Sequence, residues 1–229
     1  MRFIVICLAC LIFVLAVGCG SNPAQPQPDA ALLKERAVAL AKQVREAMTD
    51  SSIMQLEYVG PRAESGTRGI RQREAAQPFM GKLVKCGKAA EEPLWQLIND
   101  AEECVRRSSV MAFRSMTDEG GKPIESQVLI DLSIPLLERA LSSNDSQVRF
   151  YACGGLGNYV HWSDECLERL RISLPKLREL RNDSDKGVRS IAWQASNGIL
   201  AKLSTRARNA EDRMAAAEEW EQLQSEKEL

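Results

Sequence analysis

The chain has 229 residues, with 30 Lys and Arg against 31 Asp and Glu. Because these charges nearly balance, the composition gives no electrostatic reason to expect nucleic acid as the main partner. With 27% charged and 45% hydrophobic residues, the composition is that of a globular protein and excludes a wholly disordered one. Aromatic residues make up only 5%, whereas Leu, Ala, Arg and Glu are plentiful, and this bias favours helices over sheets.

The N-terminus has the pattern of an export signal. Arg2 is followed by an unbroken apolar run from Phe3 to Val17. This run is short for a membrane span, which needs about 20 residues, and suits the apolar region of a secretory signal peptide at residues 1–18. Its end, Leu-Ala-Val-Gly-Cys, resembles a bacterial lipobox, although Ala16 stands where that pattern usually has Leu. Three outcomes stay open: lipidation of Cys19, secretion after ordinary cleavage, and an uncleaved anchor.

The residues after this run resemble the tether of a lipoprotein. Within residues 19–28, the stretch after Cys19 reads GSNPAQPQP, with three prolines and no charge, which is typical of an extended linker. The lipoprotein resemblance implies a membrane partner reached through lipid on Cys19. Gly20 follows the family pattern that is sorted to the outer membrane in a Gram-negative cell. We therefore expect an exported bacterial protein that is anchored in the cell envelope.

The body of the chain is predicted to be helical, since no alternating strand pattern appears after Asp29. An amphipathic helix of about twenty residues begins at Asp29. Residues 59–69 are predicted to form a loop from their Gly, Pro and Ser content, and the helical pattern resumes through Leu83 and Val84. Residues 29–81 are therefore predicted to form an N-terminal helical cap or atypical repeat.

Comparison of the chain with itself reveals a repeat of about forty residues. Pro93, Pro135 and Pro175 each stand near the start of an apolar helical pattern. Each is followed 12 or 13 residues later by Val-Arg, with an acid three residues before the valine and a small residue four after it. These are Val105-Arg106 with Glu102 and Ser109, Val148-Arg149 with Asp145 and Ala152, and Val188-Arg189 with Asp185 and Ala192.

Each residue type in this pattern has a physical reason. Proline is tolerated in a first helical turn, where its missing N–H would have no partner in any case. Asp145 and Asp185 are predicted to cap the second helix of their repeats, and each stands four residues before an arginine with which it can pair. Val148 and Val188 are predicted to lie on the buried face of that helix.

A proline-led first helix, an acidic turn and V-R-x-x-A in a second helix resemble the HEAT repeat. The resemblance covers residues 82–203 as three repeats, with 204–229 as an acidic C-terminal capping helix. It implies an all-α fold, a short α-solenoid of stacked helix pairs with capping helices at both ends. Residues 117–126 form a longer connection than stacked repeats need, and Ser109 replaces the preferred alanine in the first repeat.

The resemblance implies a binding surface more than a chemistry, because this family mostly provides scaffolds. We expect a non-enzymatic protein–protein interaction module with an unidentified protein partner. We expect no cofactor, no metal, no nucleic acid and no small molecule. Two alternatives are an enzyme of the bilin-lyase type, which uses a HEAT-like fold, and a structural component of an envelope assembly.

The candidate partner surface follows from helical periodicity. Positions 2, 5, 6 and 9 after the valine point away from the first helix of the repeat. In the last two repeats these positions hold Phe150, Cys153, Gly154 and Gly157, then Ser190, Trp193, Gln194 and Asn197. Phe150 and Trp193, with Gln194 and Asn197, are the candidate partner residues, since aromatic side chains dominate interface energies. That the closing helix instead covers Trp193 is an open alternative.

Other motifs carry weaker signals. His161, Asp164 and Cys166 match no standard zinc spacing. Gly154-Gly155-Leu156-Gly157 resembles a nucleotide loop, but no strand precedes it, and the repeat places it inside a helix. Cys86, Cys104, Cys153 and Cys166 are either two disulfides of undetermined pairing or small buried apolar residues.

Overall fold

The computed structural model describes residues 29–49, 76, 78–113 and 125–227. The predicted signal peptide and tether, including Cys19, the predicted loop at 59–69 and most of the connection at 117–126 lie outside the described residues. All regular structure in the described ranges is helical, so the all-α prediction is confirmed. None of the described helices combines the length and hydropathy that crossing a bilayer requires.

Within the described ranges three helix pairs form the body of the fold, and each pair corresponds to one predicted repeat: α3 with α4, α5 with α6, and α8 with α9. Within a pair the two helices pack on each other, and the second helices pack on one another, α4 on α6 and α6 on α9. This arrangement is the predicted solenoid. The helices are α1 (Ala30–Thr49), α2 (78–84), α3 (Glu91–Ile98), α4 (Glu103–Phe113), α5 (Ile134–Ala140), α6 (Ser146–Asn158), α7 (Asp164–Leu170), α8 (Leu174–Leu180), α9 (Lys186–Arg206) and α10 (Ala210–Lys227).

The prediction that each repeat proline stands near the start of its helix is confirmed, since Pro135 and Pro175 are the second residues of α5 and α8 and Pro93 is the third residue of α3. A π-helical turn, Leu129–Ser133, leads directly into α5 just before Pro135. In the next repeat α7 passes through a 3₁₀ turn, Arg171–Ser173, into α8 just before Pro175. Because proline has no N–H and its ring crowds the preceding turn, the regular α-helical pattern is interrupted there.

The predicted buried stripe is in place. Val105, Val148 and Val188 are completely buried, and so are the small residues one turn later. In the first repeat that small residue is Ser109, whose hydroxyl lies 3.7 Å from the sulfur of Met48 on α1. A serine at this position therefore contacts the N-terminal helix rather than a preceding repeat.

Glycines allow the second helices to approach closely. A Cβ added at Gly157 of α6 would lie 3.3 Å from Cα and Cβ of Ala195 on α9. Because Cα of Ala195 belongs to the helix backbone, it would have to shift together with α9. A Cβ at Gly155 would lie 2.9 Å from Leu137 on α5. The glycine run thus lies inside α6 and serves helix packing, as the repeat predicted.

The C-terminal helix α10 closes the stack. It packs along α9, and its Asp212 and Glu219 pair with Arg171 and Arg178 of the preceding segment. In both pairs the acid follows the arginine by the same number of residues, so α10 runs parallel to α8. It takes the place that the first helix of a further repeat would take. Its outer face is polar apart from Met214, with Glu211, Glu218, Glu221 and Gln222 exposed. A polar outer face is what a terminal capping helix requires.

Candidate interaction surfaces

The turn inside each repeat is closed by a side chain that the sequence reasoning missed. Asp100, Ser143 and Asp183 each accept a hydrogen bond from the backbone N–H two residues later, at 2.9, 3.2 and 2.8 Å. These residues stand five positions before the repeat valine. The same self-comparison that found the valines would have found them, because Asp and Ser are the residues that close such turns.

The predicted helix caps are present in the second and third repeats. The carboxylate of Asp145 accepts hydrogen bonds from the N–H groups of Gln147 and Val148 at 2.9 and 3.4 Å. Asp185 accepts one from the N–H of Val188 at 3.0 Å. In the first repeat Glu102 forms no side-chain hydrogen bond within the described residues, and its own N–H is bound by Asp100.

The repeat arginines bind acids of the following repeat, which corrects the predicted pairing within one helix. Arg149 donates from Nε and Nη2 to the two carboxylate oxygens of Asp183, both at 2.8 Å. Arg106 donates from Nε to Asp145 at 3.0 Å. The intrahelical acid was the wrong partner because it already caps its helix. The arginines therefore join each turn to the next one.

The repeat arginines, including Arg189 of the third repeat, also bind the turn that precedes their own helix. Nη1 of Arg149 donates to the carbonyl of Ser143 at 2.7 Å, and Nη1 of Arg189 donates to that of Asp183 at 2.8 Å. The hydrogen bond from Arg149 holds the pKa of Asp183 below its ordinary value. Burial raises the pKa of Asp145, but the N–H of Gln147 and the guanidinium of Arg106 outweigh it, so this pKa is also lowered. Asp145, Arg149, Asp185 and Arg189 are thus occupied by structural contacts.

Four of the eight positions predicted to face outward do not: Gly154 and Gly157 pack against α9, and Cys153 and Asn197 are also covered. Cys153 is completely buried, and desolvation raises the pKa of its thiol to about 12, so the thiol stays protonated at neutral pH. Asn197 faces α10, where its side-chain oxygen accepts hydrogen bonds from Nε1 of Trp220, at 2.7 Å, and from Gln224. Periodicity within one helix could not reveal these contacts, because they depend on which helix packs alongside.

Trp193 is half-buried and packs against the core, and its indole nitrogen is shielded from solvent. Trp193 is thus a packing residue in part, and the alternative that the closing helix covers it stays a prediction. Gln194 is exposed on the same helix, and its amide lies 3.5 Å from the hydroxyl of Ser190, which is also exposed. Of the four candidate partner residues, Phe150 and Gln194 therefore remain accessible.

Phe150 belongs to an aromatic pair on α6. Its ring meets that of Tyr151 edge-on, with the centroids 5.4 Å apart, and both side chains are half-buried. The Phe150 ring also covers Gly187 in the first turn of α9, where an added Cβ would lie 3.5 Å from it. The hydroxyl of Tyr151 has no hydrogen-bond partner within the described residues. We call Phe150, Tyr151, Ser190 and Gln194 the aromatic surface.

The cysteines and His161 form no joint site. All four cysteines in the described ranges are free thiols, so neither disulfide of the open alternative is formed. His161 is exposed whereas Cys166 is completely buried, so the two do not meet. No group of three or more His, Cys, Asp or Glu side chains within the described ranges is arranged to hold a metal ion.

A cleft between the first and second repeats was not predicted. It has a volume of about 590 Å³ and is lined by Trp95 of α3, Arg139 of α5 and the turns that follow them. The guanidinium carbon of Arg139 lies 3.8 Å from the centroid of the Trp95 ring. The sequence showed Trp95 only as part of an apolar helix, and its contact with Arg139 joins residues of two different repeats.

Comparisons with known proteins give no family. No family model matches the chain, and no curated protein matches it. Solved structures similar to it include an engineered protein, at 18% identity and a TM-score of 0.43, covering 87% of this chain and 93% of that one. Another is a computationally designed armadillo repeat protein for modular peptide recognition, at 19% identity and a TM-score of 0.41, covering 82% and 97%.

A third is a designed armadillo repeat protein in complex with the peptide (KR)4, at 18% identity and a TM-score of 0.43, covering 85% of this chain and 95% of that one. Likenesses this distant assign neither family nor function. The chain is an all-α solenoid of helical repeats. That statement rests on its own helix pairs, their shared turn contacts and the buried valines.

Proposed function

We propose that this protein is a non-enzymatic interaction module, anchored in the bacterial cell envelope through lipid on Cys19, whose protein partner binds the aromatic surface. The observation that carries the proposal is the half-exposed pair Phe150 and Tyr151 on α6. Aromatic side chains contribute a large contact area at a low entropy cost, and they are enriched among the residues that dominate interface energies.

The surroundings of this pair fit a protein partner. Tyr151 offers a hydroxyl that no described side chain engages, and Ser190 and Gln194 provide exposed polar groups on α9, the helix whose first turn the Phe150 ring covers. An apolar centre with a polar rim is the usual anatomy of a protein interface. The helices beneath are held by the arginine contacts between turns, so the surface is rigid before a partner arrives.

A crosslinking experiment in intact cells tests the surface. A photoreactive phenylalanine analogue is placed at Phe150, at Tyr151 and, as a control, at Ile172, which is 67% exposed and lies in the 3₁₀ turn between α7 and α8. We expect one protein to be crosslinked from positions 150 and 151 and not from 172. Equal crosslinking from all three positions, or none from 150 and 151, would contradict the proposal.

A substitution then separates binding from stability. Phe150→Ala should abolish co-purification of the crosslinked protein while costing about 1–2 kcal/mol of unfolding free energy, since the ring is half-buried against the core and the protein should stay folded. Ile172→Ala is the matched control and should affect neither quantity. Loss of folding in Phe150→Ala would place the ring in the core and remove the proposed surface.

The anchor is tested separately. Cys19 follows Ala-Val-Gly at the end of an apolar run, and this arrangement resembles a lipobox. Cys19→Ala should release the protein from the membrane fraction or leave it as an unprocessed precursor. A mutant that is processed normally and still fractionates with membranes would contradict lipid anchoring without affecting the aromatic surface.

A further inference from the structure

The cleft between the first two repeats holds an arginine with no acidic partner. Arg139 is exposed, and its guanidinium stacks on Trp95 without forming an ion pair or hydrogen bond within the described residues. No acid is within helical reach, since the residues three or four positions away are Pro135, Leu136, Ser142 and Ser143.

Neighbouring arginines, unlike Arg139, each bind an acidic side chain. Arg106 and Arg149 bind acids of the next turn, and Arg169 forms two hydrogen bonds, at 2.8 and 2.6 Å, with Glu138. Glu138 precedes Arg139 in the chain but is occupied by Arg169 and by the hydroxyl of Ser173, at 2.7 Å. Arg139 is thus held by an aromatic ring and keeps the N–H edge of its guanidinium available.

The charge of the cleft fits one monovalent anion. Its lining has two cations, Arg106 and Arg139, and one anion, Asp145, so the balance is two minus one, or one positive charge. Asp145 lies 2.9 Å from Nη2 of Arg106, which neutralises that pair and leaves Arg139 to face a ligand. A planar guanidinium binds a carboxylate through two parallel hydrogen bonds, and its stacking on Trp95 reduces the entropy lost in doing so.

We propose that this cleft binds a side-chain or C-terminal carboxylate of an acidic peptide segment, with Arg139 as the carboxylate receptor. Ser142 and Asn144, both exposed at the rim, supply donors and acceptors for the peptide backbone around the carboxylate. The cleft volume of about 590 Å³ lies in the range of sites that enclose a few residues or a small ligand. A phosphate group, with nearly two negative charges, would require more cations than the cleft provides.

Calorimetric titration of the full chain tests this site without a natural partner. The probe is a hexaglutamate peptide that is acetylated at its N-terminus and amidated at its C-terminus, and the comparison ligands are hexaglutamine capped in the same way, hexaglutamine with a free C-terminal carboxylate, and inorganic phosphate. We expect the hexaglutamate to bind, the capped hexaglutamine not to bind, and phosphate to bind at least tenfold more weakly. Binding of the uncapped hexaglutamine would identify a C-terminal carboxylate as a ligand of the cleft, and its failure to bind would identify a side-chain carboxylate. Arg139→Gln should weaken the binding of hexaglutamate at least tenfold, since it removes the charge and both N–H donors of the bidentate hydrogen bond.

The matched control is Arg178→Gln, which removes an exposed arginine from α8, the corresponding helix of the third repeat. It should leave the affinity for hexaglutamate unchanged, and thermal unfolding of both variants should confirm that they are folded. Arg139→Lys should bind with intermediate affinity, because lysine keeps the charge but loses the planar fork.

Equal binding of hexaglutamate to the wild type and to Arg139→Gln would overturn the proposal, as would the absence of binding at millimolar peptide. Phosphate binding as tightly as hexaglutamate would overturn the assignment to a carboxylate. The site is independent of the aromatic surface, so Phe150→Ala should bind hexaglutamate normally. A failure here leaves the crosslinking result at Phe150 unaffected.

Discussion

Helix α9 packs against a different kind of surface on each side. Toward α6 the contact consists of small and apolar residues: Gly157 meets Ala195, and Gly154 meets Ile191. Toward α10 it includes polar groups, with Asn197 bound by Trp220 and Gln224. The helix faces in the first contact fit by shape, so repeats of similar shape can use it again. The second contact includes specific hydrogen bonds, so it selects the helix that packs there.

The largest expected effect comes from breaking the core beneath both contacts. Val148→Asp places an unpaired carboxylate at a completely buried position and should cost more than about 4 kcal/mol, enough to unfold a marginally stable domain. Val38→Asp is the control, because Val38 on α1 is 55% exposed. Urea denaturation compares the two. A Val148→Asp protein as stable as the wild type would refute the register of the repeats.

The closing contact is broken by Trp220→Ala. This change removes a half-buried ring and the donor that binds Asn197, and should cost about 3 kcal/mol. Met214→Ala on the same helix should change the free energy of unfolding by less than about 0.5 kcal/mol, since Met214 is 64% exposed. Both values come from denaturant unfolding. Equal effects of the two changes would mean that α10 does not depend on the Asn197 contact.

The repeating contact is tested with two neighbouring glycines. Gly157→Ala should cost about 2 kcal/mol, because its Cβ would meet the backbone of Ala195 at 3.3 Å and push α6 and α9 apart. Gly154→Ala would meet only the side chain of Ile191 at an ordinary 3.6 Å, and should be neutral or up to about 1 kcal/mol stabilising through its better helix propensity. Unfolding curves that rank the two variants in the opposite order would contradict the close approach of the helices.

The smallest expected effect concerns the contacts between turns. The hydrogen bond from Arg149 lowers the pKa of Asp183 in the folded protein below its unfolded value near 3.9. The charged carboxylate therefore stabilises the fold above about pH 4, and this contribution is lost as the pH falls through the folded pKa. Asp183→Asn should cost about 1 kcal/mol at pH 7, because asparagine keeps one acceptor oxygen.

The difference in unfolding midpoint between the wild type and Asp183→Asn should shrink as the pH is lowered below about 4. Glu179→Gln removes an exposed acid of α8 and serves as the control, with little effect at any pH. A difference for Asp183→Asn that stays constant down to pH 2 would show that Arg149 does not depend on the charge of Asp183.

Local and periodic features were predictable. The buried valines, the caps Asp145 and Asp185 and the helical position of the glycine run each depend on residues within about one helical turn. The repeat showed the valine three times, the aspartate cap twice and the glycine run once. The partner of Arg149 was not predictable, because the intrahelical Asp145 and the distant Asp183 have the same chemistry. The π-helical turn that precedes Pro135 was also missed, because nothing in the residues before the proline marks a change of helix type.

The sequence by itself determined the helical content, the repeat length and the residues that each repeat buries, since periodicity and capping act along one stretch of chain. Only the tertiary structure decided which of the positions predicted to be exposed remain exposed to solvent. Cys153 and Asn197 carry no local signal that a neighbouring helix covers them, and the contact of Arg139 with Trp95 joins positions that are separated by a whole repeat. Surfaces are the product of packing between repeats, and that packing depends on contacts that no single helix encodes.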